Sequence, residues 1–362
     1  MAIYSDLDTR QIWLSPLCED LFASFLRSDQ RRWGEVYVQG LVSVPGRKSI
    51  RRISTQVVGR PVDQCLQQFI NQSPWDWAPV RQRLAQLLAG AIRPKAWVLE
   101  EVVFPKNGSK SVGVARQFVN SAGRLLNCQL GLSVVMVGED GGCPVNWRLL
   151  LPRCWDDDDG LRSRARVPAH ERSQPHWRHL LQAIDEMVID WGLPPAPIVA
   201  DGRSMPGVEL LLAGLAERGL PYLVRVSPGT LPAGGAGLPA RPVLEPLRPR
   251  LQVVQGQAGT RPLRYQQGPG HRWYPRSGAR AIWLTDLGRN RVPDLAGLVG
   301  LRNRAASVLA SVAADSGLQH FEGRSFQGWH HHVTLVSVAH AYRLLRGLDG
   351  REAEELCLRP HG

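Results

Sequence analysis

The chain has six cysteines in 362 residues (Cys18, Cys65, Cys128, Cys143, Cys154 and Cys357), and none forms a C-x-x-C pair or stands at zinc-finger distance from a histidine. That spacing indicates neither a disulfide framework nor a structural zinc, and the cysteines read as buried or inert thiols. No apolar run approaches the roughly 20 residues that span a bilayer, so no membrane association is expected. The opening Met-Ala-Ile-Tyr-Ser-Asp lacks a basic region followed by an apolar core, and a cytoplasmic location is expected. Acids are in short supply: 32 Asp and Glu stand against 44 Lys and Arg, a net charge of +12. A field of that sign attracts polyanions, and nucleic acid is the first partner to expect. Most of the cations are Arg, whose planar fork binds phosphate bidentately, although an Arg-rich codon preference accounts for the excess equally well. The hydrophobic fraction of 43% is that of a core-forming globular protein.

The first ninety residues read as helices, with Leu17, Leu21, Phe22, Phe25 and Leu26 at helical spacing. Ser73-Pro74-Trp75-Asp76 offers an N-cap, a Pro at the first helical position and an acid three residues after the cap. Val80, Leu84, Leu87, Leu88 and Ala91 continue one apolar face. The basic stretch 47–52, opened by Pro45-Gly46, reads either as a phosphate contact or as a solvated loop. From Trp97 the pattern changes to short strands: Trp97 to Glu100, Val112 to Phe118, Cys128 to Val137 and Val145 to Leu151. A helix carrying Trp177, Leu180, Leu181, Ile184, Met187, Val188 and Trp191 follows, and Pro194-Pro195 ends it. Strand Ile198 to Ala200, a helix with Val208, Leu211, Leu212 and Leu215, and strand Tyr222 to Val226 make a βαβ unit. Residues 228–278 are rich in Pro, Gly and Arg and read as an insertion. A strand at Ala281 to Thr285 and a helix ending near Gly317 close the core.

Meandering strands followed by βαβ alternation predict an α/β fold, a mixed sheet flanked by helices with functional residues at strand ends. Acids stand at two such ends, Glu100-Glu101 and Asp201. Phe104 to Gln117 (FPKNGSKSVGVARQ) is similar to the F-x-K-x-G-x-x-S-x-G-V-A-R-Q stretch of one branch of bacterial insertion-sequence transposases of the DDE type. Asn127-Cys128-Gln129, Trp147 to Trp155, Gly317 to Arg324 and His330-His331-His332 extend the resemblance over nearly the whole chain. It implies an RNase H-like core at 94–227 and 279–345, a helical N-terminal domain at 1–93, the insertion at 228–278 and a tail at 346–362. It also implies DNA as partner, with Lys106, Lys110, Arg116, Arg302, Arg304 and Arg324 as DNA-binding candidates, and a homodimer on paired DNA ends.

The resemblance places Glu100 at the first catalytic Asp and Asp201 at the second, in a segment A-D-x-x-Y-G of which Ala200-Asp201 is kept, whereas Gly202-Arg203-Ser204-Met205 follows and the Tyr-Gly is lost. Counting back from Gly317 places Ala306 at the third acid, a Glu in the family. Two-metal phosphoryl transfer needs carboxylates that hold two ions roughly 3.5 to 4 Å apart, so losing one removes a ligand and a charge together. No nuclease chemistry and no metal pair are expected, with a single Mg or Mn ion at Glu100 and Asp201 left open. Two functions stay in play. One is a silenced, transposase-derived DNA binder. The other is a repurposed enzyme in which Glu100, Glu101 and Asp201 do metal-independent acid–base chemistry on a small molecule, since close carboxylates raise one another's pKa.

Overall fold

The structure, a computed structural model, describes residues 14–226, 282–287 and 292–358, together with three short strands at 252–254, 266–268 and 271–273. Its first part is helical, with α1 (Ser28–Ser43), α2 (Asp63–Asn71) and α3 (Trp77–Ile92). The start of α3 differs from expectation. Asp76 is the N-cap, accepting from the Ala78 N–H at 2.9 Å, and Ser73 lies outside the helix. Trp75 is drawn into the core, where its ring stacks on His331 with centroids 3.6 Å apart, and that anchor holds residues 73–75 out of the helix. In the basic stretch Ser49 caps a single helical turn and Lys48 turns inward to donate to the Val44 carbonyl.

The sheet begins with β1 (Ala96–Pro105), β2 (Ala115–Val119), β3 (Arg124–Val137) and β4 (Gly142–Leu150). Helices α4 (Asp159–Ala165) and α5 (His176–Asp185) precede β5 (Ile198–Asp201), α6 (Val208–Glu217) and β6 (Tyr222–Val226). β2 starts later than the apolar pattern predicts, because Val112 donates to the Arg324 carbonyl at 3.1 Å and Gly113 turns the chain at φ 70°. β1 pairs antiparallel with β3 along its whole length and parallel with β5 on its other edge. β4 lies against the far edge of β3, and β6 runs parallel beyond β5. The order β4-β3-β1-β5-β6, an antiparallel meander joined to two parallel strands, is the RNase H-like arrangement expected.

Of the insertion expected at 228–278, the structure describes β7 (Gln252–Val254) and a hairpin of β8 (Gln266–Gly268) and β9 (His271–Trp273); the remainder lies outside the described residues. β7 pairs with β10 (Ile282–Thr285), which extends the sheet beyond β6. Helices α7 (Val292–Ser316) and α8 (Phe326–Leu358) close the described chain, and α8 runs on into the segment read as a tail, whose last residues lie outside the described ones. Gly317 stops α7 at φ 70°, a conformation that favours glycine.

Side chains alternate across a strand, so each strand serves two layers. On one face, Ala96, Val98, Val199 and Leu223 pack against Leu298 and Ala305 of α7. Farther along that face Phe104 and Trp147 meet Trp329 of α8 edge-on, and the Trp147 indole donates to Ser337 Oγ at 3.0 Å. Across the sheet, Asn146 donates to the Ala183 carbonyl at 3.3 Å and Arg148 pairs with Glu186 at 2.7 Å, both beneath α5. The N-terminal helices share one core with the sheet and α8. Burying that apolar surface is the main stabilising term, at about 25 cal/mol per Å².

At the centre of the helical layer is a buried polar knot. The guanidinium of Arg81, 1% exposed, donates to Thr334 Oγ1 (2.7 Å), the Trp147 carbonyl (2.9 Å) and His330 Nδ1 (3.1 Å). No carboxylate partners it there, and burial pushes its pKa down to about 9. His332 accepts from the Tyr37 hydroxyl at Nδ1 (3.0 Å) and turns Nε2 to the Gly317 and Leu318 carbonyls (both 3.2 Å). The three consecutive histidines are therefore packing and hydrogen-bonding residues. Among the described residues no group of three or more His, Cys, Asp and Glu is placed to hold a metal ion.

Candidate functional site

Leu99 of β1 lies opposite Ala200 of β5, so Glu100 and Asp201 are the next neighbours along two parallel strands. Strands are about 4.8 Å apart, which sets two carboxylates side by side on the face that α7 covers. Glu101, the next residue of β1, turns to the opposite face. There its carboxylate lies 3.6 Å from His176 Nδ1 at the start of α5. The three acids do not converge on one site; the pair is Glu100 and Asp201.

Three guanidiniums surround that pair. Arg203 forks onto Asp201, with Nη2 at 2.7 Å from Oδ2 and Nε at 2.9 Å from Oδ1, and its backbone N–H adds a bond of 3.2 Å to Oδ1. Arg225 stands opposite Asp201 in the β5–β6 register and brings Nη1 to 3.8 Å from Oδ2. Arg302 reaches down from α7 and bridges the acids, with Nη2 at 3.3 Å from Asp201 Oδ2 and Nε at 3.6 Å from Glu100 Oε1. Its side chain is 20% exposed, and those of Glu100 and Asp201 are 13% and 15% exposed. Ala306, one helical turn beyond Arg302, is exposed. At the far end of α7, Asp315 accepts from Ser311 at 2.8 Å.

The two acids titrate differently. Burial, against the pull of Arg302 and with the push of Asp201, raises the Glu100 carboxyl to about 7. Burial also acts upward on Asp201, but the hydrogen bonds from Arg203 and the charges of Arg302 and Arg203 outweigh it and hold that group below its ordinary value. Glu101 is raised by burial, and burial lowers its neighbour His176.

The DNA-binding candidates divide. Lys106, Lys110 and Arg324 line one open groove of about 530 Å³, joined by Arg47 and by the loop Asn107 to Ser111. Lys110 and Arg324 are exposed, Lys106 donates to the Phe321 carbonyl at 2.7 Å, and Arg47 pairs with Glu322. Asn127 fixes the loop by donating to the Lys106 and Gly108 carbonyls at 2.7 and 3.1 Å. Arg116 is exposed on the β2 edge, Arg302 is turned into the acid site, and Arg304 donates to the Gly138 and Glu139 carbonyls at the β3–β4 turn. The sequence reading missed Arg203 and Arg225 as site residues. Arg225 carried a signal, being the one charged residue in the apolar run Tyr222 to Val226.

A sequence model described as DDE superfamily endonuclease matches residues 20–252, which include both acids and the groove loop. The chain belongs to the DDE superfamily. Arg302 and Ala306 lie beyond the matched segment. No protein among those of curated function matches the chain. Among solved structures, a piggyBac transposase synaptic complex with hairpin DNA is similar over 93% of this chain and 74% of that chain, at 10% identity and a TM-score of 0.43. DDE chemistry runs through divalent ions, and the residues here do not fit a pair of them. A magnesium ion takes carboxylate oxygens at about 2.0 to 2.1 Å in near-octahedral geometry. Both Asp201 oxygens are occupied by guanidinium donors, and Arg302 stands in the space that a shared ion needs. No helix among the described residues is long and apolar enough to cross a membrane.

Proposed function

We propose that this DDE family member binds duplex DNA and does not cut it. The observation that carries the reading is the bridging of Glu100 and Asp201 by Arg302; the resemblance adds to it by putting Ala306 where the family has its third acid. Without a carboxylate triad there is no pair of ions to activate an attacking hydroxyl and steady a leaving oxygen. DNA affinity has separate support in the net charge of +12 and in the groove that gathers Lys106, Lys110 and Arg324. Backbone phosphates in such a groove release condensed counterions, so the affinity falls steeply with salt. Fluorescence anisotropy with a labelled duplex tests this. Binding that weakens progressively with added salt is expected, and no binding at about 0.1 M salt would remove the proposal.

A second reading, acid–base chemistry on a small molecule, is favoured by one observation: Glu100 is held at about 7, where a carboxyl both gives and takes protons near neutrality. It now rests on Glu100 and Asp201 alone. If it holds, Glu100→Gln abolishes the activity of whatever pathway needs the protein, and a variant that keeps full activity removes this reading.

A further inference from the structure

We infer that Arg302 is the resident cation of the cleft, a tethered guanidinium that holds Glu100 and Asp201 together and keeps divalent ions out. This goes beyond the proposed function and does not depend on DNA binding. Parallel pairing of β1 and β5 forces two largely buried carboxylates into adjacent positions on one face. Such a pair needs a counter-charge, and a site has two sources of one, a bound ion or a side chain.

Arg302 meets the requirement in three ways. Its extended guanidinium reaches both carboxylates as an ion pair, which a point ammonium does less well, although its Nε and Glu100 Oε1 make no hydrogen bond. Its distances of 3.3 and 3.6 Å are near-even, so it belongs to both acids. Its base is fixed: Ala305, 0% exposed, packs with Val98, Val199 and Leu223 of the sheet, and this seats α7 directly above the acids.

Ala306 completes the device. Residues four apart on a helix face one another, so a carboxylate at 306 would compete for the Arg302 guanidinium. A methyl group makes no such claim, and the charge of Arg302 is left to Glu100 and Asp201. A guanidinium and a dication cannot share that space, so the same side chain that stabilises the acids excludes the ion.

The test is thermal unfolding of the full chain in EDTA and in MnCl2, with the free-Mn2+ signal followed by electron paramagnetic resonance. The parent protein is expected to melt at the same temperature in both buffers and to leave the Mn2+ signal undiminished. Arg302→Gln is expected to melt about 5 °C lower in EDTA; with Arg203→Gln added, which takes the guanidinium off both Asp201 oxygens, the protein is expected to be stabilised by about 10 mM MnCl2 and to deplete the free signal, because an ion that binds only the native state stabilises it. Arg302→Lys, which keeps the charge, should remain indifferent to the metal. Should Arg302→Gln fail to fold, the double variant Glu100→Gln with Arg302→Gln removes both charges and should recover folding; failure to recover counts against the inference. Two other results overturn it: Mn2+ bound by the parent protein and lost in Asp201→Asn, or an Arg302→Gln protein as stable as the parent that stays indifferent to Mn2+ when Arg203→Gln is added.

Discussion

The groove that gathers Lys106, Lys110 and Arg324 gives the account its most quantitative consequence. Lys106 is tied to the Phe321 carbonyl and Arg47 to Glu322, so the exposed Lys110 and Arg324 are the cations best placed to meet phosphates. The perturbation is the double variant Lys110→Gln with Arg324→Gln. Each phosphate contact contributes about 0.9 to the slope of log affinity against log salt, so two contacts contribute about 1.8. Between about 50 and about 200 mM salt, a fourfold rise, that difference makes the parent lose about 12-fold more affinity than the variant. Anisotropy with one duplex at four or five salt concentrations measures both slopes. Since exposed substitutions away from packing change stability by only about 0.5 kcal/mol, a change in slope is not a folding effect. Parallel lines for parent and variant, even with a lower affinity, would refute the placement of the phosphates in this groove.

Other parts of the structure make independent predictions. Arg81→Met removes the buried guanidinium that donates to the Thr334 hydroxyl, the Trp147 carbonyl and His330 Nδ1, leaving the carbonyl a longer 3.4 Å side-chain bond from Arg148, and should cost about 3 kcal/mol, read as a lower denaturant midpoint with unchanged slope. Gly214→Ala drives a Cβ into Leu181 Cδ1 between α5 and α6, and should cost about 1 to 3 kcal/mol by overpacking. His332, lowered to about 3 by burial, and His330, lowered well below 6.5, both take a hydrogen bond at Nδ1. Their folded pKa lies below the unfolded value near 6.5, so the unfolded chain binds more protons. The stability they contribute is complete above pH 6.5 and falls by about 1 kcal/mol per histidine per pH unit below it. Melting temperatures at pH 7, 6 and 5 check this, and a protein equally stable at all three would contradict the assignment.

Much of this architecture can be read in the residues because local pattern and tertiary role agree. The run Tyr222 to Val226 is a strand as expected, and the helix expected to end near Gly317 does so at Ser316. Asp76 caps α3 in place of Ser73 because a tertiary contact, Trp75 on His331, decides where the chain enters the helix, and no local pattern reports that contact. Asp201 announces itself as an acid at the end of an apolar strand, whereas Glu100, expected at such an end, lies in the middle of β1, which runs on to Pro105 in unbroken pairing with β3. Glu101 was read with them, although strand alternation already sends adjacent residues to opposite faces. Arg302 is about a hundred residues from Asp201 in sequence, and only the seating of α7 on β1 and β5 turns a helical arginine into a partner for both acids.

The most direct test of the central claim is supercoiled plasmid incubated with the protein in Mg2+ and in Mn2+, at concentrations where anisotropy shows the DNA to be bound. The account predicts retarded but fully supercoiled plasmid in both metals. Nicked or linear product that appears only with metal, and disappears in Asp201→Asn, would show that the cleft still works as a phosphodiester-cutting site.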